Sequence, residues 1–148
     1  MNYEDVLEVM FEDGLDSLWR GVKAMPEDKL DWQPSPEART VRQLLEEVVM
    51  TTAYSAKLVL QQKDPGMSEE GGEDPKSLAD MENAHRANVK EFMAAVREFP
   101  EAKLQDSIEL PWGTMTFLQV ITYPYWNLMY HWGQISYLQT MYGDKEMH

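Results

Sequence analysis

The stretch Thr40-Val41-Arg42-Gln43-Leu44-Leu45-Glu46-Glu47-Val48-Val49 decides the fold. Thr40 followed three residues later by Gln43 is a capping-box signature, in which each side chain satisfies a backbone N–H that the helix start leaves open. Val41, Leu44, Leu45 and Val48 then recur at helical spacing, and the same face continues through Thr52 to Leu58 and Val59. This predicts a helix that begins at Thr40 and ends before Asp64-Pro65.

Three further segments of similar length carry the same periodicity, separated by Pro and Gly. Upstream, Val6, Met10, Leu15, Leu18 and Val22 mark a helix from about Tyr3 to Ala24, closed by Pro26. Residues 26–39 contain three prolines and read as an ordered loop, with Leu30 and Trp32 placed to plug one end of a bundle. Downstream, the acidic, glycine-rich segment Asp64 to Pro75 reads as a solvated, mobile loop. A Ser77 cap then opens a helix with Leu78, Met81, His85, Val89, Phe92 and Val96 on one stripe, and Pro100 stops it. Residues 101–114 show a brief alternation around Ser107 to Leu110; we read them as an extended linker with a turn at Trp112-Gly113, not as a sheet. The last helix runs from about Thr116 to Tyr142, with a kink expected at Pro124 and a C-terminal cap at Gly143. Four such helices, no convincing strand, no internal repeat and no domain boundary predict a single all-α domain over residues 1–148. The architecture is an antiparallel four-helix bundle with long connecting loops, in either an up-down-up-down or a crossover order.

Composition narrows the function. The 148 residues carry 26 acidic and 13 basic side chains, a formal net charge of -13. That argues against nucleic acid and against an anionic membrane surface, both of which need a basic face. The absence of cysteine excludes disulfides, thiolate nucleophiles and thiolate metal sites. No apolar run approaches the roughly 20 residues that span a bilayer, and the opening residues show no signal peptide. The expectation is a cytoplasmic protein. Eleven Met and five Trp suit an irregular helical core or an apolar pocket.

Few residues are candidates for chemistry. Asn127 and His131 stand four apart in the last helix and project from one face, a spacing by which a helix offers two ligands to a metal; the plainer reading is a buried, hydrogen-bonded histidine. Glu47 lies beside the inward stripe of Leu44 and Val48, so it is either a solvated edge carboxylate or a buried one that must be paired, metal-bound or protonated. His85 falls on an apolar stripe, where a core role competes with a pocket role. No phosphate loop, nucleophile elbow or His-Glu-x-x-His motif is present.

Two segments carry a family resemblance. Pro26 to Leu45, with Trp32, Pro34, Thr40, Leu44 and Leu45, resembles the loop and second-helix start of the DinB-like (YfiT-like) superfamily. His131-Trp132-Gly133-Gln134-Ile135-Ser136-Tyr137-Leu138 resembles that family's His-Arg-Gly-Gln-Ile-x-x-Tyr-Leu pattern. The resemblance implies a four-helix bundle with a long crossover, often homodimeric, and a divalent-metal site (Zn, Ni, Mn or Fe) built from three histidines. Some relatives are thiol-dependent transferases. Carried onto this chain, the helix-two histidine falls on Glu47 and the first helix-four histidine on Asn127, while His131 is kept; Trp132 replaces the family arginine. A Glu/Asn/His set is harder and weaker for zinc than three imidazoles. Two functions follow as expectations. One is a metal-dependent enzyme, of thiol-transferase or hydrolase type, acting on a small molecule through Glu47, Asn127 and His131, with His85 and Trp132 as pocket residues. The other is a metal-free bundle that binds a small ligand or serves as a structural dimer.

Overall fold

A computed structural model describes residues 2–66 and 77–148. Its elements are α1 (Tyr3–Lys23), the one-turn α2 (Glu27–Leu30), α3 (Val41–Gln61), α4 (Leu78–Glu98), β1 (Ser107–Leu110), β2 (Gly113–Thr116) and α5 (Phe117–Met141). Side-chain caps start each long helix. Asn2, Thr40, Ser77 and Thr116 each accept a hydrogen bond from the backbone N–H three residues on, and Asn2, Thr40 and Thr116 complete capping boxes. The Thr40–Gln43 box is the one expected from the sequence. α5 continues through Pro124, which is buried within it. Past its end, Gly143 adopts a φ of +100°, a conformation that favours glycine.

The four long helices pack together around one apolar core, with α1 and α3 each set against both α4 and α5. Side-chain pairs give the directions. Phe11 meets Tyr125, and Gln139 donates to the Gly21 carbonyl at 3.1 Å, so α1 and α5 run parallel. Phe11 meets Phe92, and Trp19 meets His85, so α4 runs against α1. Lys103, just past α4, bonds Gln62, just past α3, at 2.7 Å, so α3 and α4 finish at the same end. The order is up, down, down, up; of the two orders compatible with the sequence, the structure takes the crossover. Gly14 lets α1 approach α5 closely, since a Cβ there would stand 2.9 Å from Leu128 Cδ2. Leu30 is buried, and Trp32 packs edge-on to Tyr142 with Lys29 over both rings, closing one end of the bundle as expected.

Two expectations are corrected. Residues 107–116 form an antiparallel hairpin in which Ser107 pairs with Thr116 and Leu110 with Gly113. The two-residue Pro111-Trp112 turn joins the strands, and Gly113, at φ +134°, takes a conformation open to glycine. Ile108 and Leu110 bury their side chains against the bundle, which is why the short alternation is a strand. In α1 the buried residues are Leu7, Phe11, Leu15, Leu18, Trp19 and Val22, whereas Val6 and Met10 are exposed. The loop expected from Asp64 to Pro75 falls mostly outside the described residues.

Candidate metal centre

Glu47, two turns into α3, and Asn127 and His131, on the inner face of α5, come together between those helices. Glu47 Oε1 stands 2.9 Å from His131 Nε2 and 3.4 Å from Asn127 Nδ2. The other carboxylate oxygen, Oε2, accepts from Arg39, whose second guanidinium nitrogen donates to the Gln43 carbonyl at 2.9 Å. His131 Nδ1 lies 2.6 Å from Gln134 Oε1, one turn along α5. Asn127 and His131 are each 2% exposed, whereas the Glu47 side chain keeps 38% of its surface in solvent. The cluster thus has a closed floor on α5 and an open rim on α3.

Burial raises the Glu47 carboxyl pKa, but hydrogen bonds from Arg39 and His131 outweigh it and hold the group below the usual carboxylate range. Glu47 is therefore ionised at neutral pH. One polar atom of the cluster is left over: Asn127 Oδ1 is buried and finds no hydrogen-bond partner among the described residues. Such an orphan acceptor is uncommon, because burying it unpaired costs about 1–3 kcal/mol. No group of three His, Asp or Glu side chains able to hold a metal occurs among the described residues. A cation at this position would therefore depend on the Asn127 amide.

The donor chemistry is compatible with that dependence. Glu47 Oε1 and the Asn127 carbonyl are oxygen donors, and His131 contributes one nitrogen. A metal-binding histidine is usually oriented by a hydrogen bond at its other ring nitrogen, and Gln134 Oε1 is placed to accept one from Nδ1. Arg39 and Gln134 were not assigned roles from the sequence. Gln134 was recoverable, since it lies three residues from His131 on the same helical face. Arg39 was not, because it precedes the helix cap and its reach depends on the loop.

His85 lies elsewhere. It is fully buried, and its Nδ1 accepts from Trp19 Nε1–H at 3.2 Å, while Nε2 faces Thr52 Oγ1 at 3.5 Å. Because indole N–H only donates, Nδ1 must be the unprotonated nitrogen and Nε2 carries the proton. Burial, with a smaller contribution from Arg86, lowers its pKa to about 4. His85 is thus a neutral core histidine that ties α1, α3 and α4 together. Trp132 is half-buried against the core. A groove of about 910 Å³ runs along α1 and α5, lined by Val6, Met10, Leu118 and Trp126 among others. None of Glu47, Asn127, His131, His85 or Trp132 lines it.

The fold and this cluster define a four-helix bundle with a mixed-donor polar site between two of its helices. The sequence model of the DinB superfamily matches residues 10–135, and the chain belongs to that superfamily. Among solved structures, a DinB-like protein of Bacillus subtilis, YjoA, matches with a TM-score of 0.74 at 12% identity, covering 99% of this chain and 96% of that one. A conserved protein of Enterococcus faecalis matches with a TM-score of 0.72 at 14% identity, covering 95% of this chain and 97% of that one. At such identities the likeness establishes the fold alone. No curated protein matches the chain. No helix among the described residues is long and apolar enough to cross a membrane.

Proposed function

We propose that this DinB-superfamily bundle is a divalent-cation-dependent enzyme of hydrolase type, acting on a small oxygen-bearing molecule through Glu47, Asn127 and His131. One observation carries the reading. The Asn127 carbonyl oxygen is buried and unpartnered, on a side chain whose amide nitrogen stands 3.4 Å from the same ionised Glu47 oxygen that meets His131. A turn of the Asn127 amide would bring its oxygen to that side, where a cation shared with Glu47 and His131 would satisfy it.

Two oxygens and one nitrogen suit Mn or Fe better than Zn, and they favour an oxygen-bearing ligand over a thiolate. A bound cation would polarise a substrate oxygen or lower the pKa of a water. The chain's own residues prepare the site. Gln134 fixes the imidazole so that Nε2 faces the carboxylate. Arg39 binds the outer Glu47 oxygen, leaves Oε1 facing inward, and balances its charge, so that the positive charge of a cation remains available to an anionic ligand. The open rim at Glu47 gives such a ligand access from solvent.

A second reading has its own support. Glu47 Oε1 and His131 Nε2 are already at hydrogen-bond distance. A closed carboxylate–imidazole pair of this kind serves a metal-free bundle that binds a small ligand. Titration calorimetry with Mn and Fe salts on protein made without a histidine tag, together with metal analysis, separates the two. Stoichiometric binding abolished by His131→Ala supports the enzyme reading. Absence of binding under every loading condition would end it and leave the metal-free one.

A further inference from the structure

Arg39 is the cation at the rim of the site, and its donors are only partly used. The loop ahead of α3 fixes its start: Gln33 Nε2 donates to the Ala38 carbonyl at 2.5 Å, the Ala38 N–H donates to the Ser35 carbonyl at 3.1 Å, and the Thr40 cap follows at once. From there the side chain reaches Glu47 Oε2 with one Nη and the Gln43 carbonyl with the other. A guanidinium carries five N–H donors. Two are taken, and Nε–H has no partner among the described residues. The Arg39 side chain keeps 45% of its surface in solvent, beside the open side of Glu47. Three other arginines are engaged differently. Arg86 meets both Asp16 and Glu82, Arg97 meets both Asp5 and Glu8, and Arg42 meets Asp31. Arg39 shares one carboxylate with His131 and otherwise rests on a neutral carbonyl.

We infer that Arg39 is the residue that recognises the substrate, by receiving the carboxylate of a small, singly charged molecule at the rim of the Glu47, Asn127 and His131 cluster; this rests on the proposed cation site. The spacing supports it. Oε1 and Oε2 belong to one carboxylate, so the guanidinium stands one carboxylate's width from the point where Oε1 meets His131 Nε2. A ligand carboxylate entering at the open rim spans the same width. One of its oxygens faces the cation, and the other takes the unused N–H groups of Arg39, a charge-assisted contact for which a planar guanidinium is suited. The loop of residues 26–39 contains three prolines, so little freedom remains to be lost when the ligand binds.

Charge selects the ligand. Arg39 and Glu47 cancel, and a coordinating imidazole or amide is neutral, so the charge of a divalent cation is left unbalanced. The site is then locally positive in a chain whose formal net charge is -13. A neutral ligand would answer neither that charge nor the open guanidinium donors. The field of the whole chain repels an anion in proportion to the anion's charge. A carboxylate with one charge is therefore admitted more readily than a phosphate ester with two.

The probe is acetate, and the protein is the full chain loaded with Mn. Titration calorimetry gives the Mn affinity. The relaxation of the acetate methyl protons, which a nearby Mn ion accelerates, gives acetate binding. Acetate is expected to bind the wild type. Arg39→Gln should weaken acetate by about 10- to 100-fold, the loss of a hydrogen bond to a charged group. The same variant should bind Mn as tightly as before or more tightly, because a competing cation has left Glu47. A residue that merely held Glu47 in place would lose Mn together with acetate. Arg39→Lys, which keeps the charge without the planar fork, should restore part of the acetate affinity. Arg42→Gln, whose partner is Asp31, should change neither affinity. Circular dichroism confirms that each variant folds. Acetate affinity unchanged in Arg39→Gln, or lost there in parallel with Mn, would overturn the inference and leave the cation site standing. So would a wild type that binds Mn but no acetate up to about 50 mM, well above the affinity open to so small a ligand. Inorganic phosphate held more tightly than acetate, with the same dependence on Arg39, would overturn the choice of a carboxylate. A wild type that binds no Mn removes the cation site, and the inference with it.

Discussion

Acidification from pH 7 to pH 4 should cost this protein several kcal/mol through His85 alone. In the folded chain His85 is fully buried, and its unprotonated Nδ1 is committed to the Trp19 indole. Protonation would place a second donor against that N–H and a charge in an apolar core, which is why the pKa falls to about 4. In the unfolded chain the same ring titrates near 6.5. Between these values the unfolded state binds a proton that the folded state refuses, so the stability falls as the pH is lowered through that window and is complete above it. A difference of about 2.5 pH units corresponds to about 3 kcal/mol, with a limiting slope of about 1.4 kcal/mol per pH unit.

The assay is urea denaturation at intervals from pH 7 to pH 4, on the wild type and on His85→Gln. Glutamine can accept from Trp19 with its carbonyl and donate towards Thr52, but it cannot titrate. Paired carboxylates also lose stability in acid, and Glu47 and Glu82, both held below their ordinary values by ion-pair partners despite burial, do so mainly below about pH 4.5. The difference between the two proteins removes that shared background. The stability gap should change by about 3 kcal/mol between pH 6.5 and 4. Parallel pH profiles would refute the reasoning. So would a nuclear magnetic resonance titration that puts the His85 midpoint near 6.5.

Other outcomes follow from the same geometry. Gln134→Ala removes the acceptor at His131 Nδ1 and should lower Mn affinity by about 10–100-fold in calorimetry while the melting temperature barely moves; an unchanged affinity would separate Gln134 from the site. His131→Ala should abolish that binding altogether. Thr116→Ala deletes the α5 cap, in which Oγ1 accepts from the Gln119 N–H, and should cost about 1 kcal/mol in urea denaturation.

The helices were legible because their signals are local. Thr40 and Gln43 close a capping box within four residues, and Leu44, Leu45 and Val48 declare the buried face without reference to the rest of the chain. The hairpin was not legible, because a strand is defined by its partner. Ser107 to Leu110 alternates visibly, but Gly113 to Thr116 has no apolar pattern of its own and becomes a strand only by pairing. In α1 the expected stripe holds at Leu15, Leu18 and Val22, which are buried, and fails only in the first two turns, where Leu7 and Phe11 are buried and Val6 and Met10 are exposed. Val6 and Met10 fit the stripe as well as Leu7 and Phe11 do, and only the position of α5 decides which pair is covered. At the site, helical spacing singles out Asn127, His131 and Glu47, each with a plainer structural reading beside the metal one, and only the family likeness joins the three into one ligand set. Arg39 stayed hidden because a residue ahead of a cap is aimed by its loop.

α5 explains why its own pattern misleads. Its inner face carries Asn127, His131 and Gln139, all buried. Its outer face carries Tyr123, Trp126, Tyr130 and Tyr137, all exposed. The same inner face also buries Val120, Ile121, Leu128, Ile135 and Leu138, so the three polar side chains are set within an apolar stripe. Each buried polar side chain must recover the cost of leaving water. Gln139 does so on the Gly21 carbonyl, and His131 does so between Glu47 and Gln134. Asn127 recovers only half, through Nδ2. Departures from local rules without a compensating gain inside the monomer point to something outside it. On the inner face the unbalanced atom is the Asn127 carbonyl oxygen, on the side chain whose amide nitrogen meets Glu47, and a cation is the partner proposed for it.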